Sequence, residues 1–241
     1  MTASVLQERA TDANATGANI SLAFSSNNTA GSAIHCIATW GHNADDFASA
    51  QDTNNTYGSV LNSVKDTTAL QGVGQAIAVN VASGPNTVQA NFTNTPGFRG
   101  ILIREIGGVS AAPNDGNNGQ FQSAPGTGAD AVSSTNATNS VQPVFMSAVS
   151  NDNGFAQAPA AGTGFTAGIT GWLFGGPALA QSEHQRFTTT TAKAATFTAA
   201  NAASATLTVM AMFDEAATSA GDPIGPANIA QSAGRFLGWT V

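Results

Sequence analysis

The chain has 241 residues, only 9% of them charged, with a formal net charge of −7. Ordinary globular proteins carry about 25% charged residues, and the seven Lys and Arg here are scattered, which excludes a basic stripe for phosphate contacts and nucleic-acid binding with it. One cysteine excludes an internal disulfide framework, and no run approaches the roughly 18 apolar residues of a membrane-spanning helix, so no membrane partner is expected.

The first residues, Met1 to Arg9, have neither a basic start nor an apolar core, so no secretory signal is expected and residues 1–18 read as an N-terminal arm. Strand patterns then follow over 19–24 and 33–40. The second carries Cys36 on one face with Ile34, Ala38 and Trp40, and His35 alternates away from them. A small buried hydrophobe is the reading for Cys36, and core burial that for Trp40. Further strands are read over 59–64 and 75–81, with a short turn over 66–70 between them. After Ser83-Gly84-Pro85-Asn86 the alternation resumes, with Val88, Ala90 and Phe92 on one face and Thr87, Gln89, Asn91 and Thr93 on the other. Residues 101–106 read as a strand buried on both faces. Residues 111–140 hold few large apolar residues beyond Phe121 and Val132, and read as a long exposed loop or a crossover. Strands resume over 141–149, 164–169, 185–190, 194–198 and 205–213.

Many short strands separated by Asn-Asn, Gly-Pro, Asn-Gly and Gly-Gly turns, with no sustained helical period, predict an all-β antiparallel sandwich of jelly-roll or immunoglobulin-like type. The sandwich is expected over 19–216. Residues 217–241 form an extended C-terminal tail whose apolar end, Phe236, Leu237, Trp239 and Val241, is expected to dock on its own domain or on a neighbouring subunit. Trp172, inside Thr170-Gly171-Trp172-Leu173-Phe174-Gly175-Gly176-Pro177, is a second interface candidate.

No constellation for catalysis, cofactor or metal emerges, and an enzyme is not expected. His35, His42 and His184 make no H-x-H or H-x-x-x-H pair. Asp45, Asp46 and the stretch Asp52-Thr53-Asn54-Asn55 give oxygen ligands of the kind Ca²⁺ takes, but without EF-hand spacing, and Asx turns account for them. Glu105 and Glu183 sit beside Arg104 and His184. Paired carboxylates run glycoside hydrolysis, yet Glu105 lies in a buried strand, so a structural hydrogen bond or ion pair is expected. Nucleophile elbows, Walker loops and dinucleotide fingerprints are absent, and the lone Gly72-Val73-Gly74 precedes a strand rather than following one.

Four motifs in order carry a resemblance: the turn Asn55-Thr56-Tyr57, the hairpin Ser83-Gly84-Pro85-Asn86-Thr87-Val88, the strand Ile103-Arg104-Glu105-Ile106-Gly107-Gly108-Val109, and the closing Ala211-Met212-Phe213-Asp214-Glu215-Ala216. Over residues 19–216 this order resembles a family of β-sandwich modules found in bacteriophage structural proteins and some bacterial surface proteins. The resemblance implies a virion component without catalytic residues, such as a capsid decoration (cement) protein or a tail component, made in the host cytoplasm. Its implied partners are other virion proteins, the major capsid protein or tail proteins, and further copies of itself, a trimer being one arrangement. The second reading is a carbohydrate- or receptor-binding module of a fibre or cell surface, with a glycan stacked on an exposed aromatic such as Trp172 or Tyr57.

Overall fold

The computed structural model describes residues 2–41, 45–68, 70–122, 131–133, 143–152, 158–173, 179–189, 191–198 and 206–217. Among them the fold is all-β, in sixteen strands. The first eight are β1 (Ser4–Ala13), β2 (Asn19–Ala23), β3 (Ala33–Gly41), β4 (Phe47–Gln51), β5 (Asn62–Asp66), β6 (Gln71–Ala78), β7 (Thr87–Phe92) and β8 (Phe98–Gly107). The second eight are β9 (Val109–Gln122), β10 (Ala131–Ser133), β11 (Val144–Asp152), β12 (Ala160–Ala161), β13 (Thr166–Leu173), β14 (Leu179–Phe187), β15 (Thr196–Thr198) and β16 (Thr206–Glu215).

The two sets repeat one another. The first forms a five-stranded sheet, β1-β8-β3-β6-β5, and a three-stranded sheet, β2-β7-β4. The second forms a five-stranded sheet, which read from its β9 edge runs β9-β16-β11-β14-β13, and a three-stranded sheet, β10-β15-β12. Raising each label of the first set by eight gives the second, pairing for pairing, all antiparallel. In each set the first strand pairs with the eighth, the second with the seventh and the third with the sixth. That nesting is a Greek-key jelly roll. The chain is therefore a tandem of two jelly rolls. Gly108 is the single residue between β8 and β9. Its φ of +72° is a left-handed value, and a Cβ there would come within 2.5 Å of the Thr2 carbonyl oxygen, so glycine is required at this joint.

The packing makes four layers. Ile34, Cys36, Ala38, Trp40, Ile101 and Ile103 of the first five-stranded sheet pack against Leu22, Val88, Ala90 and Phe92 of its three-stranded partner. The opposite face of the same sheet, through Ile37, Val73 and Leu102, packs on Val149, Leu207 and Val209 of the second five-stranded sheet. Ile106 meets Phe145 and Phe213 at one end of this seam. On the far side, Met146, Ala148, Met210 and Met212 cover Phe197 of β15. Two sheets are thus sandwiched on both faces, which explains why β3, β8 and β16 are buried almost residue by residue whereas β2 alternates.

Three expectations change. The arm over 1–18 contains β1, an edge strand paired with β8 from Ser4 to Ala13. Residues 19–216, read as one sandwich, span most of two. Within the loop or crossover read over 111–140, the described residues are strand: 111–122 belong to β9, the edge strand beside β16, whose register shifts accommodate a Pro- and Gly-bearing stretch that a central strand would not tolerate, and 131–133 are β10. The tail residues Phe236, Leu237, Trp239 and Val241 lie outside the described residues, as does His42.

Candidate functional site

The chemistry-bearing side chains fall into four places. The first is the seam between the two five-stranded sheets. Arg104 and Glu105 are consecutive on β8, so they point to opposite faces and cannot serve each other. Arg104, fully buried, faces the seam. Its Nη2 donates to Glu8 Oε1 of β1 at 2.6 Å, and its Nη1 donates to Ser147 Oγ of β11 at 2.6 Å and to the Glu183 carbonyl at 2.9 Å. Glu8 also accepts from Ser182 Oγ at 2.6 Å and from the Ile169 N–H at 3.3 Å.

The seam continues through His35. Gln75 Nε2 donates to Asn62 Oδ1 at 2.6 Å and to the Met210 carbonyl at 2.8 Å, which leaves Gln75 Oε1 facing His35 Nε2 at 2.8 Å. His35 Nε2 therefore carries the proton, and its Nδ1 accepts from the Ser147 hydroxyl at 2.8 Å. A serine donating to a histidine is the pairing of a nucleophile and its base. Here both residues are fully buried between two sheets, and the serine's remaining acceptor capacity is engaged by Arg104. Burial, together with the nearby Arg104 charge and against the Gln75 bond, pushes the imidazole down to about 3, so it is neutral at pH 7. The arrangement is a polar clamp between the two jelly rolls.

The second place is Glu105, on the other face of β8. It accepts from Gln7 Nε2 at 2.6 Å, Asn28 Nδ2 at 3.0 Å, the Thr29 N–H at 2.6 Å and Ser32 Oγ at 2.9 Å. One carboxylate thereby fixes the chain between β2 and β3. The expected structural role of Glu105 is what the structure displays.

The third place is Glu183 on β14. Its carboxylate accepts the N–H groups of Gly162 at 2.9 Å and Thr196 at 3.1 Å, joining the second five-stranded sheet to the outer sheet. Burial pushes the pKa of its carboxyl up to about 8, against those two bonds and the Arg104 charge. Glu105 faces the first outer sheet and Glu183 the second, with both central sheets between them. They do not converge, and the carboxylate pair of a glycosidase is not formed by them. His184, next in sequence, turns to the seam side, where its ring stacks on Phe145 with centroids 5.4 Å apart, and burial pushes it down to about 4. Beside it Glu215 accepts from Arg186 Nε at 2.5 Å and from the Ala3 N–H at 3.1 Å, tying the first strand to the last.

The fourth place is the outer face of β2-β7-β4 and the loop after β4. Asp52 accepts from the N–H groups of Asn54 at 2.7 Å and Asn55 at 2.6 Å, and from the side-chain amides of Asn55 and Asn86. Burial opposes its charge, but these bonds outweigh burial and hold the carboxyl below its ordinary range. Its oxygens face N–H donors, the opposite of what a cation requires, and no group of three or more His, Cys, Asp or Glu assembles a metal site among the described residues. Asp52, Ser21, Gln51, Thr53, Thr87 and Gln89 line an open cavity of about 270 Å³.

The aromatics divide. Trp40 is fully buried, its Nε1 donating to the Asp45 carbonyl at 3.0 Å. Tyr57 packs against the first core and offers no exposed platform. The backbone of Trp172 lies in β13, and its side chain is outside the described structure. Burial raises the Cys36 thiol, an inert core position. Sequence reasoning did not single out Glu8, Gln75 or Ser147, because an isolated polar residue in a strand carries no signal of what faces it. No family model, curated protein or solved structure matches the chain.

Proposed function

We propose that the chain is a non-enzymatic structural component of a virus particle, a capsid decoration protein or a tail component, acting through contacts between subunits. The observation that carries this reading is the polar clamp. Arg104, Glu105, Glu183 and His35, all buried, are committed to holding strands, sheets and jelly rolls together, and the most catalytic-looking pair, Ser147 and His35, is sealed inside the seam. Two jelly rolls joined through their broad sheets make a rigid slab, while the outer faces, loops and the tail remain for neighbours. A sparsely charged, amide- and hydroxyl-rich surface suits dense arrays, where like charges would repel. The motif resemblance points the same way. Repeated weak contacts by many copies sum through avidity, and homo-oligomers such as trimers fit closed symmetric assembly.

The test is deletion of 217–241, which leaves both jelly rolls intact. The truncated chain should keep its melting temperature and lose occupancy on purified particles. Unchanged occupancy would refute the tail's role, and absence of the full-length chain from particles would refute the virion reading. The second reading, a glycan- or receptor-binding module, is favoured by the uncharged polar face of β2-β7-β4 rather than by an aromatic platform.

A further inference from the structure

We infer that the cavity on the outer face of β2-β7-β4 is a binding subsite for one neutral pyranose ring, an inference that rests on the second, glycan-binding reading above. Antiparallel registry places Asn19 beside Asn91 and Ser21 beside Gln89 across β2 and β7, and Ser49 and Gln51 beside Asn91 and Gln89 across β4 and β7. Apart from Ala23 and Ala48, the exposed positions of these three adjacent strands are thus hydroxyls and amides. Part of this face is already ordered by its own bonds. Gln89 Nε2 donates to Asn91 Oδ1 at 2.8 Å, and Asn91 Nδ2 donates to Ser49 Oγ at 3.1 Å, which fixes the amide orientation along β7. The side chains of Ser21, Gln51, Thr53 and Thr87 make no hydrogen bond within the described residues and converge on the cavity.

Chemistry selects the ligand. A sugar's vicinal hydroxyls donate and accept together, as do the amides and hydroxyls that line the cavity. No cation lines it, so phosphate, sulfate and carboxylate ligands find no counter-charge. The one carboxylate, Asp52, repels anions, and its engagement by Asn54, Asn55 and Asn86 makes it a rigid wall rather than a cation ligand. At about 270 Å³ the space is just under the roughly 300–1,000 Å³ of drug-sized ligand pockets, a match to a single ring. The duplication sharpens the assignment. Among the described residues the corresponding strands β10, β15 and β12 have three, three and two residues, against five, six and five in β2, β7 and β4, so the wider described outer face is that of the first jelly roll.

The experiment is a residue-resolved amide NMR titration of the full chain with neutral monosaccharides (glucose, galactose, mannose and N-acetylglucosamine), beside a glycan array that includes sialylated sugars. An open polar site without aromatic stacking should bind with Kd on the order of 1 mM, with shifts confined to Ser21, Gln51, Thr53, Thr87 and Gln89. Gln89→Leu should weaken binding at least tenfold and Trp172→Ala should leave it unchanged. Should Gln89→Leu fail to fold, Gln51→Leu on the neighbouring strand carries the same expectation. Shifts that cluster elsewhere, or binding lost in Trp172→Ala alone, would overturn this subsite and leave the glycan reading standing. Tighter binding of sialylated than of neutral sugars would overturn the charge argument. No response to any sugar, on the array or in the titration, would overturn subsite and glycan reading together.

Discussion

Replacing Arg104 by Met tests the buried ion pair on which the polar clamp at the seam is built. Arg104 is fully buried, and its three donated bonds reach β1, β11 and β14, one strand of the first jelly roll and two of the second. The substitution fills most of the volume with apolar atoms and leaves Glu8, its side chain only 10% exposed, with no counter-charge. Removing one partner of a buried ion pair costs about 3–5 kcal/mol. At about 2–4 °C per kcal/mol for a chain of this size, the melting temperature should fall by roughly 6–20 °C. Glu8→Leu alone should cost about as much, because Arg104 then stays buried as an unpaired cation. The double variant discriminates. Swapping a whole buried pair for apolar groups is often close to neutral, and Ser182 Oγ retains the Ile169 carbonyl as an acceptor at 3.1 Å. It should therefore lie within about 1–2 kcal/mol of the parent, far above the sum of the single losses. Urea unfolding gives these values as midpoint shifts at constant slope. Single variants costing less than about 1 kcal/mol, the range of exposed pairs, or a double variant equal to the sum of the singles, would refute the clamp.

The pH dependence of stability should have two limbs. Glu183, raised in the fold from 4.5 to about 8, stabilises fully below pH 4.5 and loses that contribution as pH rises through 8, so Glu183→Gln should flatten the alkaline limb. His35 and His184, lowered from 6.5 to about 3 and about 4, contribute above pH 6.5 and lose it as pH falls, so His35→Gln should flatten the acid limb. Two histidine slopes oppose one carboxylate slope below pH 6.5, which places the maximum near 6.5, and thermal melts in which the parent's stability climbs steadily through pH 8 would contradict this. Gly72→Ala should cost about 1–3 kcal/mol or more by overpacking, because its Cβ would lie 2.2 Å from the buried Trp40 ring. Recovery in Gly72→Ala/Trp40→Phe, read by the same melts, would confirm the contact, and a neutral Gly72→Ala would refute it.

Eleven of the sixteen strands were legible in the sequence, and the five missed ones share physical causes. β1 and β9 are edge strands: β1 carries Gln7, Glu8 and Arg9 in succession, and β9 holds a Pro and two Gly among its fourteen residues, so neither shows the clean alternation of a half-buried strand. β4, β10 and β12 are short outer-sheet strands built mostly of small residues, Phe47-Ala48-Ser49-Ala50-Gln51, Ala131-Val132-Ser133 and Ala160-Ala161, with too few large apolar side chains to mark a buried face, whereas the equally short β2 and β15 carry Ile20 and Leu22, and Phe197. Of the site, the commitment of Glu105 to structure was readable from its apolar surroundings. The tie between Arg104 and Ser147 was not, since it joins strands from different jelly rolls and nothing local in Val144–Asp152 marks Ser147.

The duplication left a trace of a different kind. Its two halves do not repeat residues: Ala33–Gly41 reads AIHCIATWG where the corresponding β11 reads VFMSAVSND. What repeats is the burial demanded by each strand's place in the four layers. A strand in a two-layer sandwich meets solvent on one face and must alternate, as β2 and β7 do. A strand buried on both faces has no solvent side and loses the alternation, as β3 and β8 do in the first half and β16 in the second. A single jelly roll gives only its central strands partial cover. Continuous apolar runs in both halves of a chain whose other strands alternate therefore require two sandwiches stacked through their broad sheets. The Arg104–Glu105 dipeptide inside such a run makes the same demand: with opposite faces and both buried, each charge must be satisfied on a different side of the sheet. Glu105 finds its donors mainly in the loop between β2 and β3, whereas Arg104 pairs with Glu8 on the neighbouring strand of its own sheet and reaches Ser147 and the Glu183 carbonyl across the seam, so the cross-seam part of the clamp follows from the duplication.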